Sequence, residues 1–324
     1  MQAGTQLLES YGSVVVGPPG SGKSTYCAGI GEFMSQAGRR VAIVNLDPAN
    51  DCAPYDAALD ISELISLDDV MKECRLGPNG GLVYCIEFLE KNLDTWLFPS
   101  LDAIRARAAR TTTYFMFDLP GQVELFTHHE SLRRIVAALT ARNFRLTCVQ
   151  LIDAFHCSDP AKYISATMLS LLTMLRLELP QVNVLSKIDL VEKEGPLHFD
   201  IEFYARASNL HHLLPMLRSS ARTRGRKGER TIFDDMKAAA DAEEEESKRM
   251  NQPPRAVAQD KYERLNERMC ELIEEFSLVS FTTLNIEDKF SAASVVKLVD
   301  KANGFAFVPV EEDEEDAEKF LTSM

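Results

Sequence analysis

Residues 17–24 read Gly-Pro-Pro-Gly-Ser-Gly-Lys-Ser and meet the pattern G-x-x-x-x-G-K-[ST] at every fixed position. The apolar run Val14-Val15-Val16 precedes them, and a helix-compatible run follows from Lys23. A strand, a glycine-rich loop and a helix start in that order can hold a polyphosphate. Such a ligand needs many donors and little steric bulk. Gly17, Gly20 and Gly22 let the loop, with Pro18, Pro19 and Ser21, turn its backbone N–H groups inward. The helix N-terminus adds free N–H groups and a favourable dipole. Lys23 is placed to neutralise β- and γ-phosphate oxygens, the Ser24 hydroxyl to ligate Mg²⁺, and Thr25 to complete the loop.

Two further stretches fit the same chemistry. Asp118-Leu119-Pro120-Gly121-Gln122 follows the apolar run Tyr114–Phe117. A carboxylate ending a buried strand beside a phosphate loop is placed to hold Mg²⁺ through water, so Asp118 joins Ser24 as a candidate metal residue. The Gly121 N–H is positioned to sense a γ-phosphate, and Gln122 to orient an attacking water. Glu124 is a second candidate for ordering that water. Ser186-Lys187-Ile188-Asp189 follows the run Val182–Leu185 and approximates the base-reading pattern [NT]-K-x-D. Asp189 can accept from guanine N1–H and N2–H₂, which adenine cannot supply, and Lys187 can lie along the base through its aliphatic stem. Ser186 departs from the pattern; its hydroxyl can still tie this loop to the phosphate loop, over a shorter reach.

These loops need a scaffold that brings strand ends together. Near-continuous apolar runs predict strands at Ser13–Gly17, Val41–Leu46, Tyr114–Asp118, Leu146–Asp153, Val182–Ser186 and Val279–Thr283. Helical patterns lie between them at Lys23–Gln36, Gly81–Ala109, His129–Arg142, Pro160–Leu179 and Asp260–Glu275, with Pro99 expected to break or kink the second at Phe98. The alternation predicts a three-layer α/β/α phosphate-loop NTPase fold with a mostly parallel central sheet and helical insertions. The expected organisation is a flexible segment 1–10, one nucleotide-binding domain over 11–307, and a disordered acidic tail over 308–324. Residues 219–259 run from a basic stretch through Glu243–Glu246 to Pro253-Pro254 and read as a surface insertion.

Composition narrows the function classes. The net charge of −14 argues against direct nucleic-acid binding by phosphate neutralisation. The seven cysteines form no C-x-x-C pair, which fits free thiols in a reducing compartment, and no metal beyond Mg²⁺ is expected. The first ten residues carry no basic segment followed by an apolar core, and the most apolar helix, Tyr163–Leu179, is interrupted by polar side chains. A cytoplasmic protein without membrane contact, with shuttling to the nucleus left open, is the expectation.

Gly77-Pro78-Asn79, taken alone, is a turn before a helix. Lying between the phosphate loop and Asp118, it gives the chain a resemblance to the GPN-loop GTPase family. The likeness includes Gly17–Thr25, Asn45–Asn50, Gly77–Leu82, Asp118–Leu125, Thr127-His128-His129, Asp159–Lys162, Ser186–Leu190, Leu284-Asn285 and Asp300–Gly304. In detail it is most similar to the second eukaryotic paralogue. The resemblance implies GTP/GDP with Mg²⁺ as cofactors. It implies a homodimer, or a heterodimer with a paralogue, in which Asn79 of one subunit reaches the γ-phosphate or water of the other. It assigns Asp47 to a second switch acid that polarises water or holds Mg²⁺. It also implies a role in RNA polymerase II assembly and nuclear import, with polymerase subunits or assembly factors as partners. Two other readings of the residues stay open: a nucleotide-gated assembly chaperone with negligible turnover, and a phosphate-loop ATPase.

Overall fold

The computed structural model describes residues 9–50, 52–107, 112–194, 197–217 and 254–308. The acidic tail beyond 308, residues 1–8 and most of the expected insertion lie outside these residues. The chain divides into two compact units, one holding residues 1–155, 169–196 and 280–324, the other residues 156–168 and 197–279.

The first unit is built on a parallel sheet of seven strands: β1 (Ser10–Val16), β2 (Arg40–Asn45), β3 (Leu59–Asp60), β4 (Thr113–Asp118), β5 (Phe144–Asp153), β6 (Gln181–Ser186) and β7 (Phe281–Thr283). Their spatial order is β3-β2-β4-β1-β5-β6-β7. The order reverses direction at β1, which pairs with β4 on one side and β5 on the other. In such sheets the crevice outside the carboxyl ends of the strands, at the reversal, is the usual ligand site.

Alternation along the strands makes the three layers. Val14, Val16, Phe115 and Phe117 enter one apolar cluster with residues of α3 (Pro78–Lys91), α4 (Phe98–Ala106), α5 (Val123–Thr127) and α6 (Glu130–Ala141). Val15, Tyr114 and Met116 point the other way, into a cluster with α1 (Lys23–Gln36) and a long C-terminal helix at Lys289–Asn303. Period-two side chains buried on both faces are what a parallel sheet covered by helices requires.

Most expected elements are present with shifted ends, and several were missed. The expected helix Gly81–Ala109 starts earlier, at Pro78, because proline fits the first helical turn, where its missing N–H costs nothing. It is interrupted at Leu93–Leu97 by a widened π turn, so Pro99 falls in the first turn of α4 and causes no break of its own. The two-residue strand β3, α2 (Leu67–Cys74) and the helix Lys289–Asn303 were not foreseen. Two further helices, α7 (Pro160–Leu177) and α8 (Ile188–Glu194), lie on either side of β6 in the chain.

The second unit contains the start of α7, α9 (Ile201–Arg206) and α10 (Pro254–Phe276). The last begins inside the expected insertion, at Pro254. The Tyr163 hydroxyl donates to the Tyr204 carbonyl at 2.7 Å, and the two rings meet edge-on at 5.0 Å. Leu210, Leu213, Cys270 and Ile273 of the same unit are also buried.

The C-terminal helix α11 (Lys289–Asn303) is locked onto the sheet. Asp288 caps its start, accepting from Phe290 and Ser291 N–H, and Gly304 ends it. The buried Asn303 amide donates to the Gly12 carbonyl at 3.3 Å and to the Tyr114 hydroxyl at 3.1 Å, while its oxygen accepts from Phe305 N–H at 2.9 Å. Arg39 pairs with Asp300 at 2.7 Å and lies over the Phe305 ring. Burial raises the Asp300 carboxyl pKa, and Arg39 offsets that only in part. We expect Asn303→Ala to lower the unfolding free energy by about 1–3 kcal/mol, the cost of leaving buried partners unsatisfied. Chemical denaturation with an unchanged midpoint would show that this lock contributes nothing.

Candidate functional site

The motif residues converge on the carboxyl edge of adjacent strands. The phosphate loop leaves β1, Asp118 ends β4, Asp153 ends β5 and Ser186 ends β6. Val15 and Asn45 flank Asp118 in register.

The loop itself depends on left-handed backbone: Gly17, Gly20 and Gly22 have φ of 154°, 76° and 90°. Gly22 sits at the N-terminus of α1 in that conformation, where an L side chain would be strained. Lys23 follows and is buried, its Nζ donating to the Pro18 carbonyl at 3.4 Å. Desolvation pushes its pKa down, against the nearby carboxylates of Asp118 and Asp47. Pro19, Gly20 and Thr25 are exposed, and Ser21 is buried.

Ser24 and Asp118 meet directly, the Ser24 hydroxyl donating to Asp118 Oδ2 at 2.8 Å. Asp118 is fully buried, and burial raises its pKa more than its hydrogen bonds and Lys23 lower it. Its Oδ1, Ser21 Oγ and Gln122 Oε1 are buried oxygens with no hydrogen-bond partner in the structure. Hard oxygens of this kind suit a magnesium ion and its water shell. Among the described residues there is no group of three or more His, Cys, Asp or Glu that could hold a metal ion. Asp47 is half-buried, close enough to act on both Lys23 and Asp118, and its Oδ1 accepts from Ala49 N–H at 3.0 Å.

The switch segment passes over the phosphate loop. A side chain at Gly121 would put its Cβ 2.7 Å from Lys23 Nζ and 3.2 Å from Pro19. With a side chain there, the Lys23 ammonium and the backbone at Pro19 would have to give way. Gln122 stands at the cap position before α5 and is partly buried, whereas Glu124, in the first turn of α5, is exposed.

The base-reading loop is fastened to the phosphate loop. The buried Ser186 hydroxyl lies 2.8 Å from the Ser21 carbonyl and 3.1 Å from that of Ile152. Lys187, at φ 60°, donates to the Gly20 carbonyl at 2.6 Å and to Asp153 at 2.8 Å. Asp189 stands in the first turn of α8, half-buried.

Asn79 is not brought to this cluster by any hydrogen bond. Residues 77–80 are exposed at the N-terminus of α3. The structure adds Tyr55, which no motif marked and which donates to Asp118 Oδ2 at 2.7 Å, and it gives Asn50, the end of the Asn45–Asn50 stretch, a contact to Ser24 Oγ at 3.1 Å. Asp153 was readable, since it too is a carboxylate closing an apolar strand. Tyr55 has no such signal, because it lies in a short irregular stretch.

A family model described as "Conserved hypothetical ATP binding protein" matches residues 15–305. GPN-loop GTPase 2 of Danio rerio is 46% identical over 93% of this chain and 83% of its own length. The chain belongs to the GPN-loop GTPase family. GPN-loop GTPase QQT1 of Arabidopsis thaliana is likewise 46% identical, over 93% of this chain and 87% of its own. GPN-loop GTPase 2 of Saccharomyces cerevisiae is 38% identical over 92% and 75%. These names agree with the likeness to the second eukaryotic paralogue. An apo-form GTPase from Pyrococcus abyssi shares the fold, with a TM-score of 0.62 at 22% identity over 90% of this chain and 97% of that one.

The Ser186 tie is the family-motif contact most open to a direct test. We expect Ser186→Ala to cost about 1–3 kcal/mol of stability by orphaning a buried carbonyl, and Ser186→Thr, which keeps the hydroxyl, to cost much less. Equal denaturation midpoints for the two variants would remove the tie from the account.

Proposed function

We propose that this GPN-loop GTPase family member binds GTP with Mg²⁺ and hydrolyses it to GDP and phosphate as a dimeric nucleotide switch. The observation that carries the reading is the bond from Ser186 to the Ser21 carbonyl, with Lys187 on Gly20. It sets Asp189 at a fixed place relative to the phosphate loop, as base reading requires. The family description names ATP and the relatives' names GTP. Asp189 favours guanine, because a carboxylate facing adenine would lose both donors.

The residues divide the work by charge and position. Lys23 and the N–H groups of residues 17–25 take the phosphates. Ser24 and Asp118, with Asp47 nearby, would hold Mg²⁺, which when bound neutralises β- and γ-phosphate oxygens. The Gln122 side-chain oxygen is an acceptor able to orient a water, with Glu124 at the solvent side of the same helix. Gly121 N–H would sense the γ-phosphate. Catalysis of this type is positioning and electrostatic stabilisation, with no covalent intermediate.

Asn79 acts from a second subunit in this reading, either a copy of this chain or a paralogue. Its exposure at the start of α3 supports that role, and an amide offers donors and an acceptor to phosphate and water together. A role in RNA polymerase II assembly and nuclear import, in the cytoplasm with passage to the nucleus, is carried by family resemblance alone.

Calorimetry with GDP and ADP tests the base assignment. We expect tight GDP, weak ADP, and loss of GDP binding in Asp189→Asn; comparable GDP and ADP binding would favour an ATPase. For Asn79→Ala we expect retained binding with hydrolysis slowed at least about tenfold, in keeping with loss of a transition-state contact. Unchanged turnover in a phosphate-release assay would reject the trans role, and negligible turnover in the wild type would favour the assembly chaperone.

A further inference from the structure

Tyr55 lies between β2 and β3, far from Asp118 in sequence. Its ring packs against the apolar cluster on the α1 side of the sheet. Its hydroxyl donates to Asp118 Oδ2 at 2.7 Å, and the Ser24 hydroxyl donates to the same oxygen at 2.8 Å. Two donors fill the lone pairs of Oδ2. Oδ1 is buried and accepts no hydrogen bond. A carboxylate free to turn presents two equivalent oxygens; charge-assisted bonds to one of them remove that equivalence.

We propose that Tyr55 is a positioning residue for the Mg²⁺ site, holding Asp118 Oδ2 so that Oδ1 is reserved for the hydration shell of the ion that accompanies the nucleotide. The inference rests on the GTP–Mg²⁺ reading above. Partners of this kind orient metal-binding carboxylates throughout metalloproteins. Burial and the neighbouring Asp118 charge push the Tyr55 phenol well above its usual range, so it stays a donor at working pH. The same stretch reaches the other ligand through Asn50, whose amide donates to Ser24 Oγ at 3.1 Å.

The test is binding of a fluorescent GDP analogue, in EDTA and across a Mg²⁺ titration, for the full chain and for Tyr55→Phe. Phenylalanine keeps the ring in its apolar setting, and a thermal midpoint near that of the wild type checks folding. We expect affinity in EDTA to be unchanged, and the Mg²⁺ concentration for half of its effect to rise about tenfold or more. Asp118→Asn should shift that midpoint at least as far. An unchanged Mg²⁺ midpoint in Tyr55→Phe overturns the proposal. So does an equal loss of affinity in EDTA and in Mg²⁺, which marks a role in loop packing only. Failure of the wild type to bind the analogue at all strikes the GTP reading instead.

Discussion

A carboxylate with no exposed surface has to be compensated, and around Asp118 the compensation shapes the whole edge of the sheet. Taking such a group out of water costs several kcal/mol, on the order reported for buried ions, unless donors and opposite charge surround it. Ser24 and Tyr55 supply the donors and Lys23 the charge. Ser24 and Lys23 come from the helix that leaves β1, Tyr55 from the stretch after β2, and Asp118 from β4. Only a sheet in which β1 and β2 flank β4 in parallel brings these three together. The raised Asp118 pKa and its unpartnered Oδ1 show that the compensation by protein groups is incomplete. That uncompensated oxygen is what the proposed Mg²⁺ and its water would meet.

The parts of this arrangement that were legible in the sequence are those that involve a fixed spacing or a buried strand. Phosphate-loop glycines must sit at their offsets, and apolar strands covered on both faces announce themselves. The Ser186 tie was readable because the hydroxyl had a stated partner to reach. Helix α11 was missed although its caps were visible: Asp288 before it, Gly304 after it, and apolar residues at 292, 295, 296 and 299 on the helical repeat. Reading Asp300–Gly304 as a motif hid its plainer meaning as a helix end. Tyr55 was illegible for a different reason. Its contact depends on how an irregular stretch crosses the strand ends, and no local pattern encodes that path.

Gly77-Pro78-Asn79 reads as a turn before a helix, and in the structure it is the start of the helix itself. Glycine, proline and asparagine favour turns, but proline also favours the first position of a helix. With Gly77 as the cap, Pro78 and Asn79 become the first helical residues, and the Asn79 side chain stands exposed at a helix N-terminus. Gly81, one turn on, lets α3 lie against α2, since a Cβ there would meet Leu67 at 2.8 Å and Met71 at 3.2 Å. The α2–α3 hairpin is thus packed behind the motif, and the motif rides on a rigid element instead of a loose loop.

The segment after Gln122 is pinned on two sides. Arg176 donates to the Thr127 and His128 carbonyls at 2.9 Å each, satisfying the end of α5, and pairs with Glu130 at 3.1 Å. His129 caps α6 by accepting the Ser131 N–H at Nδ1, which leaves the proton on Nε2, and Nε2 faces Glu87 of α3 at 3.2 Å. Arg134 adds a second link from α6 to α3, through Glu90 at 3.0 Å. The Thr127-His128-His129 motif thus takes part in the bonds that hold α5 and α6 in place. Between Asp118, held by its donors, and α5, held by Arg176, only Leu119–Gln122 remains, and Leu119 N–H is itself bonded to Val15 at 3.3 Å. A larger displacement that carries α5 must break the Arg176 bonds or draw that side chain along. The neighbouring α6 is joined to α3, the helix whose first residues include Asn79.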